Sequence, residues 1–266
     1  MTSSHRTALS SLCEGHPQRV RRLFAALDLE RPALEEVQAA AGAGDWIRAC
    51  EALLGYYRTC SSGGWLRHAL VPPGEGVVAE AERPAEAVFP APGGQGVLQI
   101  PRLPSGRLNW AYVPPEEGGL AWSCAVSRHD YMAELLAAFY ATGNRRYVRT
   151  LNEHLYDWTS SVEYPEPPDL DEIVCPWGTI LEVGHRAKAW PAVFYGLQAE
   201  EEFAPDTRVL LLSQALDHAT FLYTQYAGGS NWVITEMTGL LSLACAWPEF
   251  REAAAWRELA LTLGQQ

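Results

Sequence analysis

Asn231 is the side chain in this sequence whose setting best suits the binding of an anion. It follows the glycine-glycine-serine turn at 228–230 and precedes an apolar stretch from Trp232 that predicts a helix. Ser230 or Asn231 therefore caps a helix start, where the first-turn N–H groups point outward and carry partial positive charge. A carboxylate binds readily at such a helix start.

A second set of polar side chains lies on the predicted helix 180–199. Glu182 and Arg186 are four residues apart and share one helix face with Trp190. This spacing predicts either an intrahelical salt bridge, worth about 0.3–0.5 kcal/mol, or an arginine that faces a cleft and binds a sulfate or carboxylate bidentately. The sequence leaves both alternatives open.

The remaining candidates for substrate contact are aromatic and titratable side chains. His129 either lines the same cleft or is a hydrogen-bonded structural group. Trp232 either stacks on a sugar ring or packs within its helical hairpin. The other candidates are Trp177, Trp190 and Glu236.

Composition limits the classes of function. The 266 residues are 48% apolar and 20% charged, as expected for one soluble globular domain with appendages. The 10 Trp and 11 Tyr residues suit a large helical core or a carbohydrate groove. A net charge of −12 argues against a nucleic-acid or anionic-membrane surface. An acidic polysaccharide would need a local arrangement of arginines and amide donors.

The cysteines and the N-terminus indicate neither a metal centre nor secretion. The six cysteines lie at long irregular intervals without metal-ligand spacing, which predicts free thiols and no metal or cofactor. The first residues lack the apolar run of a signal peptide, and no apolar stretch approaches about eighteen residues. The expectation is a chain that does not span a membrane and is cytoplasmic by default.

Helical periodicity divides the chain into three parts. Residues 18–59 carry short amphipathic stripes, which predict a helical N-terminal subdomain over residues 1–60. Residues 61–126 are rich in Gly and Pro, with 96–100 as the single strand candidate, and predict a loop-rich wrapping segment that forms one rim of a cleft. Residues 127–266 predict helical hairpins.

Three successive hairpins account for that last part. An incomplete (α/α) toroid of antiparallel helical hairpins, or an α-solenoid, is therefore the predicted architecture within an all-α fold. The predicted pairs are 131–140 with 145–161, 180–199 with 206–226, and 232–246 with 249–263.

Several motifs together resemble the heparinase II/III family of polysaccharide lyases, in the (α/α) toroid domain that precedes that family's β-sandwich. The pieces occur in the family's order over roughly residues 32 to 258, which makes the combination more specific than any single piece. They include Asp45-Trp46, Tyr56-Tyr57-Arg58, Leu108-Asn109-Trp110, Ser127-Arg128-His129, Asp157-Trp158, Glu182 with Arg186 and Trp190, Asn231 to Leu240, Trp247-Pro248-Glu249-Phe250, and Trp256.

The resemblance implies a role for Asn231 as the family's asparagine that neutralises a uronate carboxylate. Some members have His after that Asn, whereas Trp232 stands here, which favours members that resemble heparinase III. The family's catalytic Tyr and His follow later, in the remaining toroid and the β-sandwich. The resemblance therefore implies the N-terminal part of a lyase, inactive alone, whose partners are an anionic polysaccharide and the parent's C-terminal β-sandwich domain.

Two other classes of function stay open on the sequence. Inverting glycosidases also use (α/α) toroids, and Glu182, Glu236, Asp169 or Asp171 are available as an acid and base pair, although no spacing marks two of them as partners. A noncatalytic helical scaffold that binds a glycan or a protein through its hairpins is the third class.

Overall fold

The computed structural model describes residues 3–61, 63, 66, 76–91, 96–165, 176–226 and 231–264. These residues form twelve helices and one two-stranded sheet. The prediction of an all-α fold is confirmed.

Four helices form the N-terminal region, three of them in the predicted stretch 18–59 or overlapping it, and one before it. They are α1 (Ser3–Gly15), α2 (Pro17–Ala26), α3 (Glu35–Gly42) and α4 (Trp46–Thr59). The Asp45 carboxylate caps α4 by accepting from the Arg48 N–H at 3.1 Å. Gly44, with φ of 73°, supplies the left-handed turn before it.

The segment predicted to be loop-rich contains more regular structure than its composition indicates. The predicted strand at 96–100 is β2 (Val97–Gln99), paired antiparallel with β1 (Val88–Pro90). Two helices, α5 (Val77–Ala85) and α6 (Gly119–Val126), were not predicted. A proline inside α5 and the uniformly apolar sequence of α6 hide the helical period from pattern analysis.

Three antiparallel hairpins follow, which confirms the central prediction of the sequence. They pair α7 (Met132–Thr142) with α8 (Arg146–Ser161), α9 (Ile180–Gly196) with α10 (Pro205–Gln225), and α11 (Trp232–Ala246) with α12 (Ala253–Leu263). The predicted start of the last helix at Glu249 is wrong, because residues 248–252 form turns before Ala253.

The hairpins lie in two layers. Helices α7, α9 and α11 pack side by side in one layer, and α8 and α10 belong to the other. Helix α10 is buried on nearly all sides from Pro205 to Leu222 and is covered by α1, α2 and α4, so it forms the centre of the core.

The N-terminal helices dock on the turn between α11 and α12. The Tyr56 hydroxyl donates to Glu249 Oε1 at 2.6 Å, and the Tyr57 hydroxyl donates to Oε2 at 3.3 Å. Leu27 forms a β-bridge with Phe250. Two motifs far apart in the sequence are thus halves of one tertiary contact.

Candidate functional site

The starts of α9 and α11 lie side by side and point the same way. A Cβ added to Gly184 would lie 3.0 Å from the Thr235 carbonyl, and one added to Gly239 would lie 2.6 Å from the Gly184 carbonyl. Near the other ends, the Tyr195 hydroxyl donates to the Ala246 carbonyl at 2.6 Å. The two helices are therefore parallel, and the positive ends of two helix dipoles meet at one edge of the layer.

Asn231 occupies the N-cap of α11 and is exposed. Its backbone is helical (φ −63°, ψ −14°), and its side chain makes no capping hydrogen bond to the helix. The structure therefore does not support the alternative in which the Asn231 side chain caps the helix. The other predicted cap, Ser230, lies outside the described residues. Trp232, the next residue, is 40% exposed.

Glu182 is bound in two directions at the start of α9. One oxygen accepts from Arg128 Nε at 3.2 Å and Nη2 at 2.9 Å, and the other accepts from the Thr179 N–H at 2.9 Å. Burial acts to raise the pKa of Glu182, but the hydrogen bonds from Thr179 and Arg128 outweigh burial and hold this pKa below its usual value. The predicted Glu182–Arg186 salt bridge is wrong, because Arg128 is the partner.

Arg186 has no exposed surface. The alternative in which its side chain faces an open cleft is therefore wrong. Its Nε donates to His218 Nε2 at 2.9 Å, Nη1 to the Ser127 carbonyl at 2.8 Å, and Nη2 to the Trp177 carbonyl at 2.6 Å. The guanidinium carbon lies 4.6 Å from the ring centre of Trp158. These contacts tie the loops before α7 and before α9 to α10.

His129 is fully buried and adopts a left-handed backbone with φ of 61°. Its Nδ1 accepts from Trp190 Nε1 at 3.1 Å, so the neutral ring carries its hydrogen on Nε2. Burial, and then the positive charge of Arg186, lower the pKa of His129 well below its usual value. The neutral ring is thus a buried, hydrogen-bonded structural group. This is one of the two alternatives that the sequence left open.

Three further candidates are also buried. Trp190 is fully buried, and Trp177 is 3% exposed and lies 4.6 Å from the His218 ring. Glu236 is fully buried on the side of α11 that meets Gly184. In this structure only Asn231 and Trp232, of the predicted site residues, present side chains to solvent.

Sequence reasoning missed the polar partners inside the core. His218 accepts from Arg186, and its Nδ1 lies 2.8 Å from the Gln214 carbonyl, so Nδ1 carries the hydrogen. His154 Nδ1 lies 2.9 Å from the Tyr131 hydroxyl. No spacing in the sequence marks these pairs, because His218 is 32 residues from Arg186 and His154 is 23 residues from Tyr131.

Among the described residues, no group of three or more His, Cys, Asp or Glu side chains is placed to hold a metal ion. No helix in the same part of the chain is long and apolar enough to cross a membrane. Asp169 and Asp171, two of the acids considered for a glycosidase, lie outside the described residues. Five cysteines within them are free thiols, as predicted: Cys13, Cys50, Cys60, Cys124 and Cys245.

A large surface depression lies away from this edge. It measures about 910 Å³ and is lined by residues of α1, α3 and α4, among them Arg6, Glu36 and Arg48. No predicted site residue lines it. Volume alone therefore does not locate the site, and the helix starts near Asn231 remain the better candidate.

Stacked antiparallel hairpins in two layers define an (α/α) toroid domain. The family model for the heparinase II/III N-terminus matches residues 23–264. The chain belongs to this family, as its motifs indicated.

Known relatives are longer than this chain. It is 26% identical to a heparin-sulfate lyase of Pedobacter heparinus, over 91% of this chain and 37% of the relative. It is 24% identical to a heparin-sulfate lyase of Bacteroides stercoris, over 91% of this chain and 38% of the relative. The chain thus spans less than two fifths of the length of these relatives.

Solved structures show the same fold. A heparinase III structure matches with a TM-score of 0.76 at 22% identity, over 91% of this chain and 39% of that one. A heparan sulfate lyase from Pedobacter heparinus matches with a TM-score of 0.74 at 24% identity, over 91% of this chain and 38% of that one. At such identities these likenesses establish the toroid fold.

Proposed function

We propose that the chain is the N-terminal toroid domain of a polysaccharide lyase, and that Asn231 binds the carboxylate of a uronic acid within the glycan substrate. The observation that carries the proposal is an exposed asparagine at the N-cap of α11, at the edge where the starts of α9 and α11 lie side by side. Its amide is positioned at the start of α11, where helix N–H groups add partial positive charge. The names of the relatives support the same class of reaction.

The chemistry of elimination explains why such a group is needed. A base removes the proton at C5 of the uronate, the C–H electrons form the C4–C5 double bond, and the C4–O bond breaks as the leaving oxygen takes up a proton. The C5 proton becomes acidic enough only if the carboxylate is neutralised as negative charge develops on it. An amide donor and a helix start supply that stabilisation together.

The proton transfers are not assigned to residues of this chain. From the family resemblance we expect the catalytic Tyr and His later in the sequence than Asn231, in the remaining toroid and the β-sandwich. Each transfer contributes about 10²–10⁴-fold to the rate. We therefore expect residues 1–266 alone to bind a uronide oligosaccharide without cleaving it at a useful rate.

The binding test compares two asparagines at helix starts. Asn231→Ala should abolish most heparan sulfate oligosaccharide binding in calorimetry, because it removes the amide donor. Asn144→Ala is the matched control: its Oδ1 accepts from the Arg146 N–H at 3.0 Å, so it should cost about 0.5–2 kcal/mol of stability without affecting binding. Unchanged binding by Asn231→Ala would refute the assigned role.

The reaction test uses the protein expressed from the complete gene. A lyase produces a 4,5-unsaturated uronate that absorbs in the near ultraviolet, and this signal should disappear in the Asn231→Ala variant. Reducing ends released without that absorbance would instead support a glycosidase. Strong absorbance produced by residues 1–266 alone would contradict the assignment of the base to a later residue.

A further inference from the structure

A small cavity lies where α1 and α4 meet the start of α10. It measures about 60 Å³, and His5, Arg58 and Arg208 are among the residues that line it. This volume exceeds the roughly 10–15 Å³ that one water needs, and it is far below the roughly 300 Å³ of sites that hold small organic molecules. The cavity therefore has the size of a site for one inorganic ion.

Arg208 brings a buried positive charge to the wall of this cavity. It is 2% exposed, and its Nη2 donates to the Glu200 carbonyl at 2.8 Å. Its Nε has no hydrogen-bond partner among the described residues. Burial, and then the positive charge of Arg58, lower the pKa of Arg208 to about 10. Since a buried charge is costly unless it is paired, Arg208 favours an anion in the cavity that it lines.

The carboxylates near the cavity have other partners and do not neutralise Arg208. Among the described residues that line the cavity, Glu51 carries the only carboxylate, which lies 4.0 Å from Arg6 Nε. Asp206, in the first turn of α10, accepts from the Thr207 N–H at 3.0 Å. Neither carboxylate raises the pKa of Arg208. The wall of the cavity thus carries an excess of positive charge in a chain whose net charge is −12.

We propose that this cavity binds one free tetrahedral oxyanion, sulfate or phosphate, between Arg58 and Arg208. A guanidinium presents its N–H groups in a planar fork that matches two oxygens of such an ion. The ion lies between two positive charges that repel each other in its absence, and His5 adds a ring nitrogen from α1. Bound there, it links α1 and α4 to α10 and stabilises the folded chain.

The anion site is independent of the proposed function. Helix α10 has 21 residues, which at about 1.5 Å per residue separate the cavity from the edge that holds Asn231 by roughly 30 Å. The oxyanion therefore acts on stability and takes no part in the elimination.

The test titrates the 266-residue chain with sodium sulfate and with sodium phosphate, while sodium chloride holds the ionic strength constant. Calorimetry should show one bound anion per chain. The melting temperature should rise by about 5–10 °C once the anion is in hundredfold excess over its Kd. Both anions also stabilise proteins in general because they are excluded from the protein surface, so variants of single arginines must separate the two effects.

Arg58→Gln removes one of the two charges and should weaken anion binding by about tenfold or more. Arg48→Gln is the matched control: Arg48 is also an exposed arginine of α4, but it does not line the cavity, so this variant should bind as the parent does. Arg208→Lys keeps the charge and loses the planar fork, so it should also weaken binding. If Arg208→Lys fails to fold, the comparison of Arg58→Gln with Arg48→Gln decides.

Four results would overturn the anion site. They are no binding of either oxyanion at millimolar concentrations, binding by Arg58→Gln equal to that of the parent, an equal loss in Arg48→Gln, and calorimetric binding of chloride alone. None of these results bears on the role proposed for Asn231.

Discussion

Gly239→Ala is the most informative perturbation of the edge that holds Asn231. Gly239 lies where α11 crosses α9, and an added Cβ would meet the Gly184 carbonyl at 2.6 Å and the Ala187 Cβ at 3.0 Å. Because the first neighbour is backbone, the added carbon forces the helices apart instead of displacing a flexible side chain. The start of α11, with Asn231, must then move relative to the start of α9.

Two opposing effects set the magnitude. Replacing Gly by Ala within a helix favours folding by about 1 kcal/mol, because Ala loses less backbone entropy. Inserting a carbon into a packed contact costs about 1–3 kcal/mol. Gly55→Ala isolates the first effect, since Gly55 lies within α4 and has nothing within 4 Å of an added Cβ. The two variants should differ by about 1–3 kcal/mol, with Gly55→Ala the more stable.

Urea unfolding followed by far-ultraviolet circular dichroism measures this difference directly. The corresponding difference in melting temperature is about 2–4 °C for each kcal/mol. Gly184→Ala should lie between the two variants, because its closest contacts are 3.0–3.1 Å. If Gly239→Ala is stabilised as much as Gly55→Ala, the helices are not in contact at this crossing and the argument fails.

Three further variants test the buried contacts. Glu249→Ala should destabilise by about 1–3 kcal/mol because it leaves the buried Tyr57 hydroxyl without its acceptor, and a double-mutant cycle with Tyr57→Phe should show non-additive free energies of unfolding. Arg186→Lys should cost about 2–5 kcal/mol in urea unfolding, since lysine lacks the planar fork that serves two buried carbonyls; a change under about 1 kcal/mol would contradict this network. Burial lowers the pKa of His154 from 6.5 to about 4. Between those two pH values the unfolded chain binds a proton at His154 that the folded chain does not. The free energy of unfolding should therefore fall by about 1.4 kcal/mol per pH unit as the pH drops, and His154→Gln should remove this dependence.

The hairpins were predictable because their helices are long and carry apolar residues at helical spacing. Stripes such as Val183, Ala187 and Trp190 specify which face of α9 is buried, and the structure buries all three. The contact of Tyr56 and Tyr57 with Glu249 was not predictable, since local periodicity carries no information on residues separated by nearly 200 positions. The family motifs include Tyr56, Tyr57 and Glu249, but they do not predict that these residues are in contact.

The sequence predicted the position of Asn231 at a helix start, but it did not predict the burial of Arg186 and His129. Helix-start chemistry depends on neighbouring residues, so Asn231 could be placed from the sequence alone. Whether a ring or a guanidinium faces solvent depends on what packs above it. Arg186 is covered because the loops before α7 and α9 fold over it, and His129 because its own loop packs against Trp190 of α9. No spacing rule predicts either contact.

The docking of the first helices on the last described turn has a consequence for biosynthesis. Arg31 donates to the Pro248 carbonyl across a separation of 217 residues. At about 5–20 residues per second, a ribosome needs roughly 10–40 s to make the chain between them. During that interval the apolar faces of α2 and α4 have emerged while their final partners have not. The nascent chain is therefore expected to need a chaperone that shields the first helices until residues 247–252 leave the exit tunnel.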